Sequence, residues 1–270
     1  MANDLSIDDG AKLLKGLKIP PRPELLVAFL EEANQSAPNH AKLGQIVQRD
    51  PALSAGLLKS VNAPMFGLRQ KVVSVPQAIS LLGLRSVRSL VMALSVRGCF
   101  KVKDKKFIEG FWEASVQRAT VCGQIARAVG QDLDACYMLG LLADCAVPAM
   151  INRFEGYQAF YQEATLQADR PITALELATF GTHHAIAGYL LTRSWRFPDE
   201  IVQGTKLHHA LPSDEPEISP PVFVLKAAEH VLRSARNQPD EYEWSVLRDQ
   251  AIAVLGLRDD TLEQLKQSAA

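Results

Sequence analysis

Apolar residues recur every three or four positions along almost the whole of this chain, and no useful stretch alternates apolar and polar in the two-residue rhythm of a half-buried strand. That spacing restricts the chain to packed helices, so the expected class is all-α. PRPELLVAFLEEA opens with prolines suited to a first helical turn and places Leu25, Leu26, Phe29 and Leu30 on one face. HAKLGQIVQ follows with Leu43, Ile46 and Val47 inward. Asp50-Pro51 then reads as a sharp corner, with an N-cap acceptor ahead of a proline whose backbone angle is preset for the first position of PALSAGLLKSVN. Pro76 opens the next helix, and Gly83 is placed to end it before LRSVRSLVMALSVRGCF begins.

The charged segment KVKDKKF divides the chain into an N-terminal helical subdomain over 1–100 and a helical bundle over 107–270. Three long helices are expected in the bundle, each continuous: FIEGFWEASVQRATVCGQIARAVG, DLDACYMLGLLADCAVPAMINRF and LELATFGTHHAIAGYLLTRSW. PDEIVQGTKLHH, SPPVFVLKAAEHVLRSARN and EYEWSVLRDQAIAVLG complete it. Gly140 and Gly188 lie inside apolar helices, where glycine costs roughly 1 kcal/mol against alanine unless a neighbour needs the space, so close helix contacts are expected at both. The polar, proline-rich stretch from 211 to 221 reads as an exposed loop placed to border a pocket.

With 270 residues, 47% of them apolar, the chain can bury a sizeable core. Its 29 basic and 30 acidic side chains give a formal charge of -1, which excludes a bulk electrostatic pull toward nucleic acid or an anionic membrane. Arg85, Arg88, Arg97 and the lysines from 101 to 106 read as ordinary solvated positions, because no aromatic residues interleave with them. No uninterrupted apolar run reaches the ~18 residues of a membrane span, and the start carries Asp4, Asp8 and Asp9 with no signal core behind them. Cys99, Cys122, Cys136 and Cys145 form no CxxC pair, and they read as reduced thiols of a cytoplasmic protein.

Phosphate-cradling loops, HExxH and GxSxG are all absent. What remains for chemistry is Asp144 in GLLADCAVPAM, His184 in GTHHAIAGYLL, the His208-His209 pair in TKLHHAL and Glu229 in LKAAEH. A carboxylate in a helix as apolar as that of Asp144 needs a polar partner, and the histidines are the natural ones. Neighbours on a helix point about 100° apart, so only one of His183 and His184 faces inward, and His184 is in step with Ala187, Gly188 and Leu191. The same geometry allows one inward ring from His208 and His209 while both stay helical, and the sequence does not choose between them. This set reads either as a metal centre or as a metal-free polar cluster. Cys145 is not read as a nucleophile, since an acidic neighbour raises a thiol's pKa, and the lone His40 and His230 read as surface residues.

RDPALSAGLLKSVNAPMFG, VPQAISLLGLRSVRSL, FWEASVQRA, GLLADCAVP, HAIAGYLLTRSWRFPDEIV and KLHH together resemble the bacterial HDOD proteins, signalling relatives of the HD metal-dependent phosphohydrolases, from Ile19 through the histidine pair. The resemblance implies a small N-terminal helical subdomain and an HD-like helical bundle. It also implies that enzyme relatives carry a metal-binding His where Ala114 lies, a His-Asp doublet where Ala143-Asp144 lies, and an Asp where Glu229 lies. Asp144, His184, His208, His209 and Glu229 are then a vestigial pocket, with no catalytic residue, metal or cofactor expected. The implied role is a free-standing, non-catalytic signalling module that binds another protein through that pocket or the groove between its halves. The alternatives are a divalent-metal phosphohydrolase with a reduced ligand set, and a pocket that holds a small phosphorylated ligand without hydrolysing it. Neither membrane nor nucleic acid is indicated as a partner.

Overall fold

The protein is described by a computed structural model covering residues 19–63, 66–167, 169–213 and 217–269. Among these residues every regular element is a helix, as the periodicity requires. The described residues form two compact units, Pro20–Lys101 and Val102–Ala270.

The Pro20–Lys101 unit is built from α1 (Glu24–Ala33), α2 (His40–Gln48), α3 (Pro51–Val61) and α4 (Val75–Arg97). Its helix starts follow from local chemistry. The Asp50 carboxylate accepts from the backbone N–H groups of Ala52 and Leu53 at 2.9 and 3.0 Å, with Pro51 in the first turn. Asn39 and Ser74 cap α2 and α4 in the same way. Gly83 takes φ 83° and ψ 156°, a conformation that side chains resist, so α4 is broken there into two helical pieces, as its sequence foretells. Leu26, Phe29, Leu43, Leu57, Val87 and Val91 fill the core.

The Val102–Ala270 unit contains α5 (Lys105–Val129), α6 (Leu133–Leu142), α7 (Val147–Arg153), α8 (Tyr157–Ala164), α9 (Ile172–Phe180), α10 (His184–Ser194), α11 (Asp199–Leu207), α12 (Pro220–Ala235), α13 (Tyr242–Leu255) and α14 (Asp259–Ala269). Two helices expected to be continuous are broken. Pro148 has no N–H to give the carbonyl of Asp144, and the chain closes tighter turns instead: Cys145 N–H to Leu142 O and Val147 N–H to Asp144 O, both at 2.9 Å. The second break is at Gly181, whose φ of 72° ends α9 and leaves His183 extended ahead of α10. Both breaks place site residues at helix ends, where side chains converge more freely than along one cylinder.

The interior glycines set the helix spacing. A methyl group on Gly140 would stand 2.7 Å from the Ala119 Cα, and one on Gly188 would stand 2.7 Å from the Thr205 Cγ2, so α6 lies tight on α5 and α10 tight on α11. Helix α12 packs against α5, α6, α13 and α14. Val75–Arg97 and Leu133–Arg153 are long and apolar enough to cross a membrane by length and composition, with 56% and 89% of their most apolar windows buried within the protein.

Candidate functional site

Asp144 lies in the turn between α6 and α7 and is only 8% exposed. Its two oxygens face different partners. Oδ2 accepts from Arg118 Nη1 at 2.5 Å, while Oδ1 stands 3.1 Å from His184 Nε2 and 3.5 Å from His208 Nε2. The two imidazole nitrogens are themselves 3.1 Å apart. Three donor atoms from three separate segments thus meet in one small triangle.

Each ring is held from behind. His184 Nδ1 lies 2.7 Å from Glu176 Oε2, and that fully buried carboxylate also receives the Tyr157 hydroxyl and the backbone N–H of His184. His208 Nδ1 lies 2.8 Å from the carbonyl of Thr205, the residue that Gly188 lets α10 approach. In both cases Nδ1 is the donor, so Nε2 is the nitrogen presented to Asp144.

The expectation that only one of His208 and His209 turns inward is corrected, because its premise of an unbroken helix fails. α11 ends at Leu207, and past that point the two rings lie 4.2 Å apart by centroid, His208 against Asp144 and His209 against Glu243. His184 faces inward as expected and is wholly buried; His183, expected toward solvent, is half-buried, with an Nδ1 that finds no partner. Glu229 is in the site but belongs to another set of contacts: Arg118 Nη1 at 3.4 Å and Lys226 Nζ at 2.8 Å. Lys226 has no exposed surface and also reaches Glu241 at 3.2 Å, which Arg233 holds from its other side at 3.2 Å.

These contacts form a chain of alternating charge running Glu176, His184, Asp144, Arg118, Glu229, Lys226, Glu241, Arg233. Burial alone would depress the His184 pKa, but the negative charges of Glu176 and Asp144 overcome it and raise it to about 10. Burial pushes the Asp144 carboxyl up, yet Arg118 first and then the hydrogen bond from His184 hold it well below the ordinary range. His208 and His209 are lowered, first by burial; for His209 the charge of Lys226 adds to the effect. Glu229 is raised to about 7 by burial and by Glu241, against Lys226 and Arg118. Glu241 is brought down to about 2 in spite of burial, chiefly by Lys226. Cys145 is pushed up by burial and then by Asp144, which agrees with its dismissal as a nucleophile.

A cavity of about 300 Å³ opens beside this network, lined by Ala114, Arg118, His209, Glu229, Arg233 and Arg236 among others. None of the described residues from 211 to 221 lines it, so the loop expected at its border lies elsewhere, apart from residues 214–216, which fall outside the described set.

The residues divide sharply over a hydrolytic metal centre. Asp144 Oδ1, His184 Nε2 and His208 Nε2 suit one face of a single ion. Ala114 and Ala143 offer no donor, and Asp144 Oδ2 and Glu229 are both engaged by Arg118, so the side chains fit one ion and not a pair.

Arg118, Glu176, Lys226, Glu241 and Glu243 were missed by reading the sequence. Two left a signal: Arg118 lies one helical turn beyond Ala114 on the same face of α5, and Lys226 interrupts the apolar run VFVLKAA three residues before Glu229. Glu176, Glu241 and Glu243 left none, because their partners come from other helices.

Comparison with known proteins gives consistent relatives. A Shewanella amazonensis SB2B structure named "Putative phosphohydrolase" superposes with a TM-score of 0.70 at 23% identity, covering 96% of this chain and 93% of that one. A Geobacter sulfurreducens structure named as an HDOD domain protein with unknown function gives 0.65 at 18% identity, covering 98% of both chains. Both show the likeness of fold. An uncharacterized Treponema pallidum (strain Nichols) protein is 21% identical over 80% of this chain, which spans only 42% of that protein's length. The HDOD family model matches residues 19–211, and with the all-helical architecture around Asp144 this places the chain in the HDOD family.

Proposed function

We propose that this protein is a non-catalytic signal-transduction module of the cytoplasm that acts by binding another protein, with the pocket around Asp144 as a degenerate relic of a hydrolytic centre. The observation that carries this reading is the position of Arg118. Its guanidinium touches both Asp144 Oδ2 and Glu229 Oε1 and donates from Nε to Gly140 O at 2.9 Å, so the two carboxylates already have their cation. Burial disfavours that charge, but Asp144 and Glu229 more than offset it and keep the guanidinium protonated. A guanidinium binds no water as a ligand and cannot lower the pKa of one as a metal ion does.

The second reading, a phosphohydrolase with a reduced ligand set, draws on the triangle of Asp144, His184 and His208. A metal face of this kind supplies Lewis acidity when loaded; the chain's own residues would fix the two rings through Glu176 and Thr205 and keep Asp144 ionised. Hydrolysis of bis(p-nitrophenyl) phosphate by the full chain with manganese supplied separates the two. No turnover above an Asp144→Ala control supports the module. Turnover that disappears in that variant establishes the enzyme.

A further inference from the structure

We propose that the Pro20–Lys101 unit carries the surface on which a partner protein docks: a groove bounded by the start of α1, by α3 and by the end of α4, which takes an acidic amphipathic helix. The inference deepens the protein-binding role proposed above and rests on it.

Charge is the first argument. Residues 20–101 carry ten Lys and Arg against four Asp and Glu, a net charge of +6, whereas residues 102–270 carry 16 against 23, a net charge of -7. The near-neutral total of the chain conceals this asymmetry. A unit of positive sign attracts acidic partners and speeds their encounter.

The groove gives that attraction a place. It has a volume of about 580 Å³, and every residue lining it belongs to this unit. Leu25, Leu53 and Leu94 supply its apolar floor. Lys59 and Arg97 also line it, both exposed and neither with a carboxylate partner among the described residues. Two unpaired cations beside an apolar floor suit a helix with leucines on one face and carboxylates along its edge.

Shape is the third argument. Ala52, Ala55 and Gly56 line the groove at the spacing of one face of α3, which lets a second helix come close. The unit's own packing does not require Gly56. A methyl group on it would stand 3.5 Å from Leu94 Cδ2, an ordinary contact, whereas on Gly44, Gly140, Gly188 or Gly204 it would stand 2.7–2.9 Å from a neighbour. Glycine weakens a helix interior relative to alanine, so the space at Gly56 persists in spite of a weaker α3, and an incoming helix accounts for it.

The same features disfavour a nucleic acid. Residues 20–101 contain no Trp or Tyr on which a base could stack, and Asp50 lines the groove, where its charge repels a phosphate.

The test introduces a photo-crosslinking side chain into the full chain by Glu24→p-benzoylphenylalanine, at an exposed position between the lining residues Pro23 and Leu25. A second chain carries it at Leu166, exposed beside the cavity of the other unit. Both are irradiated in the cells that make the protein natively, and the adducts are sequenced by mass spectrometry. From position 24 the expected adduct is a protein segment of net negative charge with apolar residues every three or four positions. Lys59→Glu together with Arg97→Glu should lower its yield at least about 10-fold with the melting temperature unchanged, since both side chains are exposed. Gly56→Ala should lower the yield while the melting temperature holds or rises, the opposite of what a packing role for Gly56 would give. An adduct to nucleic acid, to lipid, to a basic segment or to this chain itself would overturn the proposal, and so would an acidic adduct whose yield survives the charge reversals. A partner joined at position 166 and not at 24 sinks the groove and leaves the protein-binding role standing. No adduct at either position removes both.

Discussion

In the Pro20–Lys101 unit the polar groups that matter sit at helix ends, where Asn39, Asp50 and Ser74 cap three helices around an interior of Leu, Val, Ile and Phe. In the Val102–Ala270 unit they sit inside: Asp144, Glu176, His184, His208, Lys226 and Glu243 are all buried, whereas Glu32 is the one charged side chain so covered among the described residues of the first unit. Buried ion pairs contribute little net stability, because the attraction between partners is largely offset by their desolvation. A scaffold does not require them. The contrast teaches that the second unit's interior is shaped by its pocket, while the first unit's is shaped mainly by apolar packing, with Glu32 at its edge.

The comparison can be broken most directly at its charged centre. Arg118→Ala removes the cation shared by Asp144 and Glu229, leaving the first with His184 alone and the second with Lys226 alone, and should cost about 3 kcal/mol, read by urea denaturation. A loss near zero would mean the network is slack and the two units are alike. Phe29→Ala should cost a similar ~3–5 kcal/mol through the cavity it leaves, and the loss should be insensitive to salt and pH. Gly140→Ala should cost about 1–3 kcal/mol, since the new methyl meets the Ala119 backbone, and the strain should also loosen the Arg118 bond to the Gly140 carbonyl.

Smaller effects sharpen the contrast. Asp50→Ala should cost ~1 kcal/mol and Asp50→Asn much less, as expected of a cap rather than a charge. Glu32 accepts from the Asn39 N–H at 2.9 Å and pairs with Lys42 at 2.6 Å, and its pKa is lowered chiefly by Lys42 and then by Asn39. Because its folded pKa lies below the unfolded value, its contribution is present above about pH 4.5 and is lost as pH falls through the lowered pKa. Glu32→Gln should therefore flatten the acid limb of a stability profile while changing little at neutral pH.

The same contrast explains what was legible in the sequence. Caps and helix starts are written within four residues, so Asp50-Pro51, Pro76 and Gly83 could be read directly. Family resemblance and apolar spacing brought Asp144, His184, His208, His209 and Glu229 into view. The counter-charges could not be read that way: Arg118 reaches Asp144 across 26 positions and Glu229 across 111. Continuity of helices also misled, because Pro148 and Gly181 sit in runs whose apolar spacing carries on undisturbed across the break.

Gly188 has a consequence that reaches beyond its own position. By omitting a single carbon it lets α10 settle against Thr205, whose carbonyl orients His208, while the first residue of the same helix is His184. The distance between two imidazoles is thus governed by a hydrogen atom one turn away, on a residue that touches neither. A larger side chain there would act as a spacer, prising the rings apart with every polar group of the site still present, so that chemistry could be lost through geometry alone.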